Sequence, residues 1–214
     1  MYKSRTIIGI DLGLKNPVTL TNMKTNKTLY LGKELKQIRG KYFYLRKKLG
    51  KEKKLKQIIK IKNKEKRKIN TLLHTVSKEI IINAYQNKST IVIGKLKNFK
   101  KNKGRKFNRK ISSFSYYKLT QYLEYKAREK GIPFIKVSEF NTSKTCSVCG
   151  TIGKRDKNWF KCTCGYEDNA DRNASINIAK RGLSQELKLG VVASTQKSLN
   201  EEISTKSVQS CVIA

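Results

Sequence analysis

The sequence has no run of about 18 apolar residues that could form a transmembrane helix, and no signal-peptide pattern opens it. We therefore expect a soluble protein in the cytoplasm or associated with the nucleoid, or in the nucleus if the host is eukaryotic. Histidine is almost absent, since His74 is the only one. Because it lies beside an apolar helix face, packing or hydrogen bonding is favoured over catalysis for this residue.

Acidic residues are scarce, which points to the kind of partner. The chain has 15 Asp and Glu against 49 Lys and Arg among 214 residues, for a formal net charge of +34. This balance favours DNA or RNA, because Lys and Arg that bind phosphates release condensed counterions. With 37% hydrophobic residues, the chain can still form one sizeable domain with an insertion, or one domain plus a small module.

The first predicted strand delivers a single carboxylate to its end. Residues 7–10 are apolar, Asp11 follows, and Gly13 comes two residues later. A buried charge is costly without a partner such as a cation, a donor cluster or water. Our hypothesis is that Asp11 is a metal ligand on the first strand of an α/β nuclease. The alternative is an ordinary turn aspartate.

The order of predicted elements indicates an α/β fold. Three strands form an antiparallel meander, a basic helical hairpin breaks near Gly50, and a helix–strand–helix–strand run follows. That order is typical of an RNase H-like mixed sheet. A last helix begins near Asp171. The predicted strands are 6–12, 17–22, 28–31, 91–93 and 132–137, and the predicted helices are 34–70 as the hairpin, 71–86 and 114–130.

Four of the five cysteines are clustered. They form a C-x2-C pair, Cys146 and Cys149, and a C-x-C pair, Cys162 and Cys164, each followed directly by glycine. In a reduced compartment this clustering indicates metal rather than disulfides. Four thiolates suit a tetrahedral Zn²⁺, and such a closed site is structural. The second pair is one residue tighter than usual, and we expect Cys211 to be a free thiol.

Few of the acids stand where they could hold catalytic metals. Two-metal phosphodiester hydrolysis needs several carboxylates around two Mg²⁺ about 4 Å apart. Most acids fall on the basic hairpin, in mid-helix or in the tail. The remaining candidates are Asp11, Glu139 just past a strand, and Asp168 or Asp171 at a helix start. Asp168 would cap that helix, whereas Asp171 in its first turn would point back at the sheet.

A cation-rich loop is the leading candidate for nucleic-acid contact. It has little apolar content, so we expect it to order only on a nucleic acid. Lys144, next to the first cysteine pair, is a further candidate. The cationic residues of the loop are Lys97, Lys100, Lys101, Lys103, Arg105, Lys106, Arg109 and Lys110.

Three motifs give the chain a resemblance to a known family. They are G-I-D-L-G at residues 9–13, F-N-T-S-K-T-C-S-V-C-G at 140–150, and N-A-D-R-N-A-S-I-N-I at 169–178. Over about residues 7–181 the chain resembles the TnpB (OrfB) proteins of insertion sequences, relatives of type V CRISPR nucleases and Fanzor proteins.

The resemblance implies a transposon-associated DNA endonuclease that acts in transposition and DNA recombination by two-metal hydrolysis. It implies a RuvC-type core at residues 1–143, with residues 34–70 inserted, and at 168–183. A zinc ribbon at 144–167 and a flexible tail at 184–214 complete this division. Asp11 and Asp171 would be the first and last catalytic acids. Zn²⁺ would be structural, Mg²⁺ or Mn²⁺ catalytic, and DNA and a guide RNA the partners.

The middle catalytic acid departs from the common family pattern. Many members carry Glu-Asp-Leu where this chain has Gly94-Lys95-Leu96. In some relatives the glutamate looks relocated to just before the T-S-K-T-C motif, which is the place of Glu139. The alternative is a catalytically inactive relative that still binds DNA or RNA, or a decayed transposase fragment.

The position of the first motif is the second departure. Members normally carry recognition domains before it, yet Asp11 stands almost at the start. We therefore expect a truncated copy, one product of a split gene or an engineered piece. A separate N-terminal half or a companion transposase would then be a partner.

Overall fold

The computed structural model describes residues 6–95, 104 and 115–185. The strands are β1 Thr6–Asp11, β2 Val18–Asn22, β3 Thr28–Leu31, β4 Ser89–Lys95, β5 Phe134–Ser138, β6 Lys154–Asp156, β7 Trp159–Lys161 and β8 Glu167–Asn169. The helices are α1 Glu34–Lys51, α2 Leu55–Gln86, α3 Tyr116–Glu129 and α4 at residues 170–185.

Five strands form one mixed sheet in the order β3-β2-β1-β4-β5. β1, β2 and β3 pair antiparallel, so the predicted meander is confirmed. β4 is parallel to β1, and β5 is parallel to β4. The fold is therefore α/β, and the carboxyl ends of β1, β4 and β5 meet at one edge of the sheet.

The two faces of the sheet pack against different helices. Ile8 and Ile10 of β1 join the core that α2 and α3 form on one face. Ile7 points the other way and packs in a cluster with Ile178 of α4. Gly9 allows α4 to lie close against β1, because a Cβ at this position would stand 2.0 Å from the Ser175 carbonyl oxygen. Asp11 has the same strand parity as Ile7 and Gly9, so β1 presents it on the α4 side.

The predicted bounds of the helical hairpin were wrong. α1 continues through Gly50, and the turn lies at residues 52–54, where Lys53 has a φ of 53°. α2 runs without interruption from residue 55 to 86, so the separate helix predicted at 71–86 is its second half. No Gly or Pro occurs in α2 to stop it. β4 is also longer than the strand predicted at 91–93.

A buried ion network holds the hairpin together. Glu65 of α2 is 4% exposed and accepts a hydrogen bond from Arg39 of α1 at 3.2 Å, and Arg46 contacts its other oxygen. Arg39 also donates to the Ser115 hydroxyl at 3.2 Å, just before α3 begins. Glu65 is therefore a charge partner of the basic hairpin, and its network connects the hairpin to α3.

Some predictions fall outside the described residues. These are the cation-rich loop, apart from Lys95 and Gly104, and the tail beyond residue 185. Across the described part of the chain, no helix combines the length and apolar character needed to cross a bilayer.

Candidate metal centres

Asp11 and Glu139 lie at the carboxyl ends of β1 and β5, on the same sheet edge, with β4 between the two strands. Ile10 pairs with Ile93, so Asp11 and Gly94 are the next residues on β1 and β4. Gly94 pairs with Val137 of β5, and Glu139 follows two residues later on the same side of that strand. Residues far apart in sequence thus meet through the parallel register of three strands.

Glu139 places its side chain directly over Gly94. A Cβ added to Gly94 would lie 2.3 Å from both Cγ and Oε1 of Glu139. The space that a side chain at position 94 would need is therefore filled by the Glu139 carboxyl group. Its Oε1 is buried and has no hydrogen-bond partner.

Asp171 is the third acid, in the first turn of α4, and it is 5% exposed. Asn16, in the loop after β1, donates its Nδ2 to Oδ2 of Asp171 at 2.9 Å. Arg155, on β6, donates its Nη2 to Oδ1 at 3.2 Å. Each carboxylate oxygen thus has a donor, which fixes the orientation of the carboxylate at the amino end of α4.

Asn169 caps helix α4, so the capping role expected for Asp168 was wrong. The Asn169 Oδ1 accepts hydrogen bonds from the backbone amides of Asp171 at 2.9 Å and Arg172 at 3.4 Å. Asp168 instead contacts the Arg172 guanidinium and accepts a hydrogen bond from the Tyr166 hydroxyl at 2.7 Å. These local contacts occupy the side chains of Asp168 and Asn169, so neither is available to replace Asp171 in the acidic site.

Burial raises the pKa values of Asp11 and Glu139, and neighbouring acids raise that of Asp11 further. Burial, then the charges of Glu139 and Asp171, raise the pKa of Asp11 to about 8, and Arg155 opposes this shift. Burial raises the pKa of Glu139 to about 7. The pKa of the Tyr116 hydroxyl is also raised, by burial and then by the same three acids. The edge of the sheet is thus a site where negative charge needs a cation.

The donor set fits Mg²⁺ or Mn²⁺. Carboxylate oxygens are the ligands these hard cations prefer, and the unpartnered Glu139 Oε1 offers one such oxygen. The carboxylates of the three acids lie farther apart than the ligands of a closed metal site. Among the described residues, the four cysteines alone form a group of three or more metal-ligating side chains within 4.8 Å of one another. Mg²⁺ keeps several waters, so its protein ligands do not need to touch.

The four cysteines have the spacing of a tetrahedral thiolate site. Sγ atoms of Cys146 and Cys164 are 3.8 Å apart, and those of Cys149 and Cys162 are 3.5 Å apart. Zn–S bonds of about 2.3 Å in a tetrahedron require sulfurs about 3.8 Å apart. The cluster therefore suits a metal ion such as zinc.

The backbone turns at the glycine that follows each cysteine pair. Gly150 has a φ of +79° and Gly165 a φ of +87°, values in the left-handed region that favours glycine. The Val148 amide faces the Cys146 sulfur at 3.4 Å. Amides directed at a sulfur stabilise its thiolate form, which is the form that binds metal.

Two asparagines of α4 bind the backbone of the segment that begins the ribbon. Asn173 and Asn177 are one helical turn apart, and both donate from Nδ2 to the backbone carbonyls of Thr142 and Thr145 at 2.7 to 3.4 Å. The Asn173 Oδ1 accepts from the Ser147 amide at 2.9 Å. These bonds join the two most specific motifs of the sequence.

Arg181 holds the backbone on both sides of Glu139. Its Nη1 donates to the Ser138 carbonyl and its Nη2 to the Phe140 carbonyl, each at 2.7 Å. Helix α4 therefore supplies Asp171 at its start and, about three turns later, a clamp that positions Glu139.

The residues predicted to contact nucleic acid are only partly described. Lys144 is exposed beside the cysteine cluster. The other eight, from Lys97 to Lys110, lie outside the described residues.

Sequence reasoning missed three residues of the acidic site. Arg155 and Asn16 were not singled out as partners of Asp171, and Gly94 was noted only as a missing glutamate. No sequence signal singled out Arg155, because its contact with Asp171 depends on how the ribbon packs on α4.

We expect one zinc ion per chain, measured by elemental analysis. Cys146→Ser should remove it and unfold the ribbon, because structural zinc contributes about 10–16 kcal/mol to the folding of small zinc modules. Cys211→Ser is the matched control and should retain zinc. A Cys146→Ser protein that keeps stoichiometric zinc would contradict the assignment.

The chain is similar to known proteins. The family description "Cas12f1-like, TNB domain" matches residues 116–178. The chain is 34% identical to the CRISPR-associated endodeoxyribonuclease Cas12f1 of Sulfoacidibacillus thermotolerans, over 81% of this chain and 45% of that protein. It is 30% identical to the TnpB-like protein MJ0751 of Methanocaldococcus jannaschii, over 57% of this chain and 46% of that protein.

Solved structures resemble the fold over most of its length. A chain of the cryo-EM Cas12f1-sgRNA-target DNA complex matches with a TM-score of 0.69 and 29% identity, over 84% of this chain and 50% of that one. A chain of the CRISPR-Cas12f ternary complex matches with a TM-score of 0.70 and 28% identity, over 83% and 39%. The chain thus spans about half or less of the length of these relatives.

Proposed function

The chain belongs to the TnpB family, and on that premise we propose that it is a metal-dependent DNA endonuclease with a RuvC-type active site. The sheet order β3-β2-β1-β4-β5, with β4 and β5 parallel to β1 and helices on both faces, supports an RNase H-like core. The relatives named as endodeoxyribonucleases support the chemistry. Residues 144–167 would be a ribbon inserted between 1–143 and 168–183 of this core.

The placement of Glu139 over Gly94 is the observation that carries the proposal. The Oε1 atom of Glu139 is buried without a hydrogen-bond partner at the same sheet edge as Asp11, and a buried polar atom is costly unless it has a partner such as a cation. The side chain of Glu139 fills the space above Gly94 of β4. We therefore take Glu139 as the relocated middle acid, with Asp11 and Asp171 as its partners.

The catalytic acids would hold Mg²⁺ or Mn²⁺, which supplies an activated nucleophile and charge neutralisation at the phosphodiester. Asn16 and Arg155 fix the Asp171 carboxylate, and Arg181 fixes the segment that bears Glu139. The Arg155 guanidinium also brings a positive charge beside Asp171, and guanidinium groups suit phosphate recognition. Zinc would serve as the structural ion of the ribbon.

DNA is the proposed substrate, and a guide RNA is a proposed partner. The similar Cas12f1 chain comes from a complex with sgRNA and target DNA. The net charge of +34 fits either polyanion. Because this chain spans only part of its relatives, a separate recognition half or a companion transposase is a further proposed partner.

Cleavage of labelled single-stranded DNA by the zinc-loaded chain tests the proposal. Wild type with Mg²⁺ or Mn²⁺ should cleave, and Glu139→Ala and Asp171→Ala should each lower the rate by about 100-fold or more. Glu124→Ala is the control, since Glu124 is a surface acid paired with Lys136. Absence of cleavage by wild type, with salt-sensitive DNA binding intact in every variant, would overturn the proposal in favour of a binding protein.

A further inference from the structure

The outward face of the ribbon carries an exposed aromatic ring. Trp159, the only tryptophan of the chain, lies on β7 and is 48% exposed. Its neighbour Phe160 faces inward and is fully buried, in the small core with Cys146 and Ala170. Trp159 is absent from that core, so packing of the ribbon does not account for this large apolar side chain.

The indole is held in one orientation although it is exposed. Its Nε1 donates to Oε2 of Glu167 on β8 at 3.1 Å. Oε1 of Glu167 in turn accepts from Lys161 at 2.9 Å. The one polar group of the ring is thereby satisfied. Because the edge of the ring is tied down, its exposed surface is mainly the apolar face that can stack.

Three lysines lie on the same hairpin as this ring, although Asp156 is its direct partner on β6. Lys154 and Lys161 pair across β6 and β7, and Lys157 stands in the turn between these strands. All three are exposed. An aromatic face among cations is the combination by which proteins hold single-stranded nucleic acids, since bases stack and phosphates bind the cations.

The same hairpin reaches the acidic site from its other face. Arg155 pairs with Phe160 on the inward side and contacts Asp171, while the adjacent pair joins Asp156 to Trp159. A nucleic-acid strand bound at Trp159 would therefore lie on the hairpin that contacts Asp171, beside the acidic site. The β6–β7 hairpin would thus connect the binding of the nucleic acid with the site of its cleavage.

We infer that Trp159 is a stacking platform for an unpaired base of a single-stranded nucleic acid, with Lys154, Lys157 and Lys161 as its phosphate contacts. The inference deepens the proposed nuclease function and rests on it for the presence of a single strand. Stacking tolerates any base, so this site would position the strand and would not read its sequence.

Fluorescence of the single tryptophan tests the inference without cleavage. The probe is a twelve-nucleotide oligo(dT), titrated into the zinc-loaded chain in Mg²⁺-free buffer. Stacking should quench the emission of Trp159 with the same midpoint as the anisotropy change of a labelled oligo(dT). A duplex of the same length should quench little, because its bases are not free to stack.

Variants separate stacking from general hydrophobicity. Trp159→Leu should weaken oligo(dT) binding by about 5- to 100-fold, as expected for the loss of one stacked base. Trp159→Phe should retain affinity within about threefold. Ile152→Ala is the matched control, because Ile152 is 69% exposed on the same ribbon. Zinc content verifies that each variant ribbon is folded.

The outcomes distinguish this inference from the proposed function. Cleavage by wild type without quenching would overturn the stacking site and leave the nuclease. Quenching without cleavage would leave the stacking site and overturn the nuclease. Equal affinity of Trp159→Leu and wild type, or equal quenching by duplex, would contradict the inference. An oligonucleotide that leaves the emission unchanged while it binds elsewhere would favour a protein partner for this face.

Discussion

Asp11→Asn will stabilise the chain in Mg²⁺-free buffer at pH 8.5 and abolish its cleavage activity. The pKa of Asp11 is raised to about 8 by burial and by the charges of Glu139 and Asp171. Its ionised form is therefore unfavourable in the folded chain when no cation is bound. An isosteric amide removes that charge, and with it a ligand for Mg²⁺.

The direction of the pH dependence follows from the raised pKa. An acid with a folded pKa near 8 contributes stability below its unfolded pKa of about 3.9, and this contribution is lost as the pH rises through 8. Glu139, with a pKa raised to about 7, acts in the same direction. Wild type should thus lose about 2–4 kcal/mol of unfolding free energy between pH 6 and 8.5.

Urea unfolding of the zinc-loaded chain measures this effect. Asp11→Asn should lose less stability over the same pH range, and added Mg²⁺ should restore wild type at pH 8.5. Asp156→Asn is the control, because Asp156 is exposed on β6. If Asp11→Asn instead destabilises the chain at pH 8.5, Asp11 is a structural residue and the proposed metal site is wrong.

Moving the middle glutamate back to β4 should preserve the enzyme. Gly94→Glu alone should destabilise the chain by roughly 1–3 kcal/mol, because its new Cβ would overlap the Glu139 side chain. Glu139→Ala alone should lower cleavage by about 100-fold or more. The double variant removes the overlap and returns a carboxylate to the same space. We expect its cleavage to recover to within about tenfold of wild type.

A double-mutant cycle with cleavage rates and urea unfolding measures this coupling. Gly50→Glu combined with Glu139→Ala is the control, since a side chain at Gly50 meets nothing within 4 Å. This control should remain inactive. A double variant no better than Glu139→Ala would show that the two positions do not share one catalytic site.

Much of the acidic site follows from strand pattern alone. An apolar run that ends at Asp11, and a strand that ends just before Glu139, predict carboxylates at a common sheet edge because parallel strands align their carboxyl ends. The antiparallel meander and the metal-binding cysteine cluster could likewise be predicted from the sequence. Each of these predictions was made from short local stretches of sequence.

Features that depend on distant neighbours could not be predicted. The contact between Glu139 and Gly94 requires the register of β4 and β5. The ion pair of Arg155 with Asp171 requires the ribbon to dock on α4. The cap by Asn169 in place of Asp168 is a local feature that was also missed: Arg172, four residues later, contacts the Asp168 carboxylate.

Crystallography with Mn²⁺ is the most direct test of the central claim. Anomalous scattering should show two Mn²⁺ ions about 4 Å apart at the carboxyl edge of β1, β4 and β5. Oxygens of Asp11, Glu139 and Asp171 should all lie within coordination distance of an ion. Manganese held by Asp11 and Asp171 without Glu139, or no manganese at this edge, would contradict the relocated active site.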